Sequence, residues 1–555
     1  MRPHSPSAHV VPLIVALLLG GGCATIGGAP AGEVAELVAE GGTKPLREEL
    51  RPIRGTTRVL VFALDGVGHD DLHRALRDGR MPRTAALLGP AGTDGVFRNA
   101  YSVPEVVSVL PSNTIPGWTS LFTGAPPAET GVPGNEWWAR DEAAFHAPAP
   151  GSVSSKAHAV RMYTDELLGK AVRVPTLFER AGLRSHVSML QLHRGADLLQ
   201  LAPVGRLGDL FERVAEDAVT GGGPSRGTYR ETDQTAASTV LSDLEKHGIP
   251  DLQVVYLAGT DLIPHHAPDP LRVQQQYLEE VVDPIVSDVL DAYADGGALE
   301  DTYVLIVSDH GHTPVLGDDR HALGTDGDDE PPAVLERAGF RVRPAKVATD
   351  RDDFQAVLAY QGAAAYVYLA DRSTCPAGGD RCDWSRPPRT AEDLLPAARA
   401  FHAASATGAG VPALRGTLDL VLARLPGTQE LRVFDGAGLV PVREYLARHP
   451  RPELLRLEER LRWLTRGPHA DRAGDLVLLA RTGAERPIEE RFYFGEEGYH
   501  SWHGGAAAQD SRVPLVVAHP RKTGARIREE TRRAVGPNPS HLDFTPLVLE
   551  LLGVR

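Results

Sequence analysis

Acidic and imidazole side chains fall in four tight clusters along the chain: Asp65-Gly66, Asp261 with His265 and His266, Asp309-His310-Gly311, and His500 with His503-Gly504-Gly505. Carboxylate and imidazole donors together, without thiolates, suit zinc or a similar borderline divalent ion. A fifth stretch, residues 111–124 (PSNTIPGWTSLFTG), offers a hydroxyl, Thr114, in a polar turn. A threonine hydroxyl is a poor nucleophile at neutral pH unless a base or a metal activates it. The plainer reading of Thr114 is an N-cap. In either reading it sits at or just before a helix N-terminus, where backbone N–H groups and the helix dipole favour a developing anion. Pro116 biases Ile115 away from the α region, so the spacing predicts a helix that begins near or after Pro116.

Four β-branched-rich runs must position these groups: residues 59–64 (VLVFAL), 254–257 (VVYL), 304–307 (VLIV) and 513–517 (VPLVV). Continuous apolar runs suit strands buried on both faces of a parallel sheet. Helical patterns lie between them, over residues 71–77, 175–181, 207–218, 236–247 and 271–293. Strands alternating with helices predict a wound, mostly parallel α/β sheet flanked by helices. Ligands of such sheets bind at the carboxyl ends of the strands. The first three runs end in Asp or Asp/His, and the loop entering the fourth adds histidine. One aspartate at a strand end is ordinary turn chemistry. Three such clusters and a late histidine, all directed to one edge, are not.

In this order the motifs resemble those of the alkaline phosphatase superfamily, in its type I phosphodiesterase/nucleotide pyrophosphatase branch. The matching elements are Leu64-Asp65-Gly66; Pro111-Ser112-Asn113-Thr114-Ile115-Pro116-Gly117 with Thr123-Gly124; Asp261-Leu262-Ile263-Pro264-His265; Ser308-Asp309-His310-Gly311; Trp502-His503-Gly504-Gly505; and the closing stretch 543–553. The resemblance spans residues 55–335 and 490–555. It implies an alkaline phosphatase-like fold and two divalent metals, zinc above others. Asp65, Asp309 and His310 would hold the metal that also binds the Thr114 oxygen, and Asp261, His265 and His503 the other. Asn135 matches the asparagine that donates to a phosphoryl oxygen. The family spacing from Asp261 selects His265 over His266, and the Gly504-Gly505 that follows and the run into Arg512-Val513-Pro514 select His503 over His500, leaving His266 and His500 to face the substrate or support a ligand. His69 and His312 read as polar loop residues. Trp137 and Trp138 either stack on a base or aryl leaving group or pack locally.

The implied reaction is hydrolysis of a phosphodiester or pyrophosphate bond in a small substrate such as a nucleotide, with Thr114 as nucleophile. Sulfatases of the superfamily carry Cys or Ser in a Cys/Ser-x-Pro-x-Arg motif, which residues 114–117 lack. Its threonine phosphomonoesterases carry a Lys-x-Arg clamp, which residues 150–250 lack, although Arg194 could supply part of one. Monoester and phosphonate hydrolysis stand as alternatives within the superfamily. An alternative of another class is a non-catalytic lipoprotein that binds metal and phosphate, which would need the ligands but not Thr114.

The amino-terminal pattern, Arg2 followed by an apolar stretch and Gly20-Gly21-Gly22-Cys23, predicts an export signal over residues 1–23. Cys23 is either a lipid-anchor site, tethering the protein to a membrane, or incidental to ordinary cleavage. The expected location is periplasmic or at the cell envelope. Residues 24–54 read as a linker with one short helix over 33–39. Residues 55–335 and 490–555 read as the catalytic core, and 336–489 as an inserted cap with a small sheet. A chain of 555 residues with 42% hydrophobic content supports such a core with an insertion. A formal net charge of −15 argues against a broad nucleic-acid surface. Cys375 and Cys382, close together in an exported chain, are expected to form one local disulfide.

Overall fold

The computed structural model describes residues 41–55, 57–148, 163, 166–202, 226–325, 327–344 and 352–554, with the backbone of 25–26 and 29–30. The export signal, Cys23 and the helices expected over 33–39 and 207–218 lie outside these residues.

The main sheet has eight strands: β1 (Gly42–Pro45), β2 (Arg58–Leu64), β3 (Ala100–Ser102), β4 (Ser185–Ser188), β5 (Leu198–Leu201), β6 (Leu252–Leu257), β7 (Thr302–Val307) and β8 (Leu515–Ala518). Their order across the sheet is β1-β5-β4-β6-β2-β7-β8-β3. The five strands from β5 to β7 are parallel. Antiparallel strands close both edges. Val59, Leu60, Val61, Phe62 and Ala63 are wholly buried at the sheet centre, as expected of a strand covered on both faces. The four apolar runs are thus neighbours, and the expected mostly parallel sheet flanked by helices is present.

Two details differ from the sequence reading. The fourth strand starts at Leu515, because Pro514 has no N–H for a ladder and Val513 instead donates to the Val106 carbonyl. The stretch read as a linker enters the core before residue 55: β1 pairs with β5, and Arg51 bonds Asp197 at 3.0 Å. The helices expected over 71–77, 175–181 and 236–247 are present, as His69–Arg77, Leu177–Ala181 and the carboxyl-terminal half of Arg226–His247, and the closing stretch 543–553 of the resemblance forms helix Phe544–Leu551. The long pattern over 271–293 is one helical run interrupted by a π-helical turn, Leu278–Val282, just before Pro284. Proline cannot close an α-helical bond, and the wider turn accommodates that loss.

The inserted region forms a second, antiparallel sheet. Its strands lie in the order Ala356–Tyr360, Ala364–Leu369, Leu476–Ala480, Leu418–Arg424, Leu431–Phe434, Leu439–Pro441. Helix Leu395–Thr407 accompanies it, and Leu394, Phe401, Val421 and Leu478 share its separate core. Cys375 and Cys382 are joined in a disulfide.

Candidate active site

The reversed direction of β8 explains the late histidine. β8 runs antiparallel to β7, pairing Leu515 with Val307, so its beginning lies at the edge where β2, β6 and β7 end. Asp65 follows β2, Asp309 and His310 follow β7, and His503 arrives in the loop that leads to β8. Helix α2 (Gly259–His266), which follows β6, carries Asp261 and His265 one turn apart and therefore on one face.

These residues meet in one buried cluster. His310 Nε2 lies 3.4 Å from Asp65 Oδ1, 3.4 Å from Asp309 Oδ2 and 3.9 Å from Asp261 Oδ1. Asp261 is 3.4 Å from His265 Nε2 and 3.7 Å from His503 Nε2. Asp65, Asp309 and His310 form one group with the proximity of metal ligands, and Asp261, His265 and His503 a second. A third, Asp261, His310 and His312, shares members with both.

Carbonyl partners orient most of the histidine rings. Nδ1 of His265 donates to the Ser501 carbonyl at 2.7 Å, and Nδ1 of His310 to the Gly311 carbonyl at 3.1 Å. A carbonyl only accepts, so each Nδ1 carries the proton and each Nε2 presents a lone pair inward. The carboxylates show the same asymmetry. Tyr256 donates its hydroxyl to Asp65 Oδ2, and Asp309 Oδ1 accepts from the Gly66 and His310 amides. Asp65 Oδ1 and Asp309 Oδ2 are buried and accept no hydrogen bond from the described residues. Among the described residues, the ion-pair partners of Asp65, Asp261 and Asp309 are all histidines. Inward lone pairs and unpaired buried carboxylate oxygens form a donor set that fits divalent cations.

The electrostatics agree. Burial, with the charges of Asp309 and Asp261, holds the Asp65 carboxyl well above the usual range. Burial also raises Asp309. Asp261 would rise through burial, but His265 and His312 outweigh it and hold it well below. Burial lowers His310 to about 3 and His503 far below its usual value. Two clustered carboxylates, Asp65 and Asp309, that resist ionisation beside two histidines, His310 and His503, that resist protonation form a site that calls for positive charge supplied from elsewhere.

Thr114 opens helix α1 (Thr114–Leu121), with Asn113 in the capping position. Its Oγ1 lies 3.2 Å from His310 Nε2. Thr114 is therefore not an N-cap. The helix also begins before Pro116, contrary to the steric expectation. Pro116 falls in the first turn, where N–H groups have no helical partner to lose, and the first helical bond runs from Gly117 N to Asn113 O. The bias on Ile115 is overridden by its complete burial, with Trp118, in the core. Two glycines permit the close approach. A Cβ at Gly117 would lie 2.8 Å from Asp309 Cβ, and one at Gly66, whose φ is +67°, only 2.6 Å from His312 Nε2.

Asn135 stands beside Thr114. Its Oδ1 accepts from the Ile115 amide at 3.0 Å, which leaves its NH₂ as the free end. His312 is the residue that sequence reasoning misplaced: it is fully buried, with Nε2 2.8 Å from Asp261 Oδ1 and Nδ1 3.0 Å from Ser501 Oγ. Its place directly after Asp309-His310-Gly311 was the available signal. His69 likewise opens helix His69–Arg77 rather than lying in a loop. His266 and His500 stay outside the three groups; His266 is half-buried against Tyr499, with ring centroids 5.0 Å apart. Trp137 and Trp138 are buried, stacked on His146 and tilted against Trp384, so they pack locally and offer no face to a base. Arg194 is spent on Glu179 and on the carbonyls of Gly169, Val172 and Val174, and is not a phosphate clamp.

Arg460, from the inserted region, is fully buried behind Thr114. It donates to Ser112 Oγ at 2.7 Å, Val109 O at 3.0 Å and Ser511 Oγ at 2.9 Å, and so ties the Thr114 turn to the segment that follows His503. No signal in its local sequence distinguishes it from the surface arginines around it.

The family described as type I phosphodiesterase/nucleotide pyrophosphatase matches residues 59–375, more than half of the 555-residue chain. No curated protein matches the chain by sequence. Among solved structures, murine ectonucleotide pyrophosphatase/phosphodiesterase 5 is similar at a TM-score of 0.49 and 13% identity, over 90% of this chain and 95% of that one. An inactive threonine-to-alanine form of the murine protein was solved in complex with AMP. Phosphonoacetate hydrolase from Sinorhizobium meliloti 1021, in complex with phosphonoformate, is similar at a TM-score of 0.46 and 17% identity, over 91% of this chain and 100% of that one.

Proposed function

Because the chain belongs to the type I phosphodiesterase/nucleotide pyrophosphatase family, whose members act on phosphoric ester bonds, we propose that it hydrolyses phosphodiesters or pyrophosphates through Thr114. The observation that carries this reading is the Thr114 hydroxyl, 3.2 Å from His310 Nε2 and aimed into an Asp/His cluster fit for divalent cations. Asp65, Asp309 and His310 would hold one ion, and Asp261, His265 and His503 the other, with zinc the metal that best suits these donors. Bound there, the pair would supply Lewis acidity that lowers the pKa of the Thr114 hydroxyl and stabilises the leaving oxygen.

The residues themselves do the rest. Thr114 Oγ1 gives up its proton and attacks phosphorus in line, the bond from phosphorus to the ester oxygen breaks, and the departing oxygen takes up a proton from water. Water then cleaves the phosphothreonine, which releases the phosphate product and restores the Thr114 hydroxyl. The Asn135 NH₂ and the Thr114 backbone N–H donate to the equatorial oxygens, where charge concentrates. Asn135 is turned for this, because its carbonyl oxygen is taken by the Ile115 amide. The engagement of Arg194 elsewhere favours a diester, whose single negative charge needs less cationic compensation than a monoester's two. We assign the chain to the exported proteins of the cell envelope on its amino-terminal pattern, with Cys23 as the candidate anchor.

The test is a panel of chromogenic phosphodiester, phosphomonoester, phosphonate and sulfate esters, offered to zinc-loaded protein. Diester kcat/KM should exceed the other three. A clear monoester preference refutes the diester reading, and no turnover of any ester refutes the catalytic one.

A further inference from the structure

The inserted sheet sends one turn into the active site. Between strands Ala356–Tyr360 and Ala364–Leu369, residues 361–363 reverse direction against the His503 loop, and the Ala363 amide donates to the His503 carbonyl at 2.8 Å. Gln361, 1% exposed, lies at the centre of the contact. Its side chain reaches the Asn135 loop: Oε1 accepts from the Asn135 amide at 2.8 Å, and Nε2 donates to the Glu136 carbonyl at 2.6 Å. Its backbone carbonyl accepts from Asn113 Nδ2 at 3.2 Å, and its Oε1 does so at 3.4 Å. Asn113 Oδ1 in turn lies 2.7 Å from His503 Nδ1.

Each link has one chemically allowed direction. The Gln361 carbonyl only accepts, so the Asn113 NH₂ must face it. The Asn113 oxygen then faces His503, so His503 Nδ1 must donate. Nε2 of His503 is left as a lone pair pointing at Asp261, the form a metal ligand requires. The Ser112 carbonyl, 3.2 Å from Nδ1, is a second acceptor for the same proton.

We propose that the inserted domain is an integral part of the active site, with Gln361 and Asn113 as positioning residues. Through Asn113, Gln361 fixes the tautomer of His503; through its own amide it aims Asn135 at the phosphoryl group. The inference rests on the roles given above to His503 and Asn135.

Two variants of the full chain separate the two arms. Asn113→Ala removes the nearer acceptor of His503, so in a titration of metal-free protein with Zn²⁺ alone, one of two sites should weaken about tenfold. That is the low end of the effect for such supporting bonds, because the Ser112 carbonyl remains. Gln361→Ala keeps the backbone carbonyl and loses the bonds to the Asn135 loop. It should bind both zinc ions as wild type does, while kcat for a diester falls on the order of 10–100-fold with little change in KM. Val421→Ala, which thins the second core remote from these bonds, should lower Tm and leave zinc affinity and kcat/KM unchanged.

Parallel losses in all three variants, or wild-type zinc affinity in Asn113→Ala together with wild-type kcat in Gln361→Ala, overturn the proposal. Wild-type protein that binds fewer than two zinc ions would instead refute the two-metal reading beneath it.

Discussion

Replacing Thr114 by alanine separates stability from chemistry at the centre of the site. A residue that caps a helix costs roughly 0.5–2 kcal/mol when it is cut back to alanine. Thr114 is not placed to cap: it is the first helical residue, Asn113 holds the cap position, and Oγ1 pairs with His310 Nε2 at 3.2 Å. Losing one neutral hydrogen bond costs about 1 kcal/mol, and the better helix propensity of alanine returns up to about 0.5 kcal/mol. Folding stability should therefore change by less than about 1 kcal/mol in a denaturant melt. The proposed ligands are untouched, so bound zinc should be the same by metal analysis. Activity should behave differently. Removing an attacking oxygen costs on the order of 10⁴-fold or more in kcat, or about 5 kcal/mol of transition-state stabilisation. Thr114→Ser keeps the oxygen and should retain partial activity. Wild-type protein quenched in acid during diester turnover should carry a phosphoryl adduct on the peptide containing Thr114. A stable, zinc-loaded Thr114→Ala protein with near wild-type kcat refutes the covalent mechanism and the motif correspondence together.

Two predictions concern residues that support the site or the sheet. Arg460→Met should destabilise the protein by about 3–5 kcal/mol in urea, because it strips the donor from several buried acceptors, among them Ser112 Oγ and Val109 O. It should also lower kcat by loosening the Thr114 turn, and an unchanged urea midpoint would count against this role. His186, buried in β4, accepts from Arg184 Nε at 3.3 Å, and burial followed by the Arg184 charge lowers its pKa to about 3. The unfolded chain therefore binds this proton first, at its ordinary pKa near 6.5, and stability falls as pH drops from about 6.5 toward 3. Between pH 7.5 and 5 this group should account for about 2 kcal/mol of lost stability. His186→Gln should lose that much less than wild type over the same interval, and parallel pH profiles of the two proteins would refute the assignment.

Much of the site was legible because its chemistry is local. A strand covered on both faces must be apolar throughout, so an aspartate at its end marks an edge, and Asp65 and Asp309 could be placed without a structure. Asp261 and His265 share one helix face by spacing alone, and residues 336–489 read as an insertion with a small sheet. Direction and partnership were not local. Nothing in residues 513–517 says that the strand runs antiparallel to β7, yet that reversal is what brings His503 to the others. His312 reads as a loop histidine until the fold buries it against Asp261. Asn113 and Gln361 are 248 positions apart, and neither carries a mark of the other. Arg460 resembles any arginine of an amphipathic helix until it is seen sealed between two loops. The sequence thus determined the residue types, the local elements and the order in which they come. Only the tertiary structure decided which distant side chains share a hydrogen bond, because a buried polar group must be satisfied by whatever packing brings within reach, and packing is a property of the whole chain.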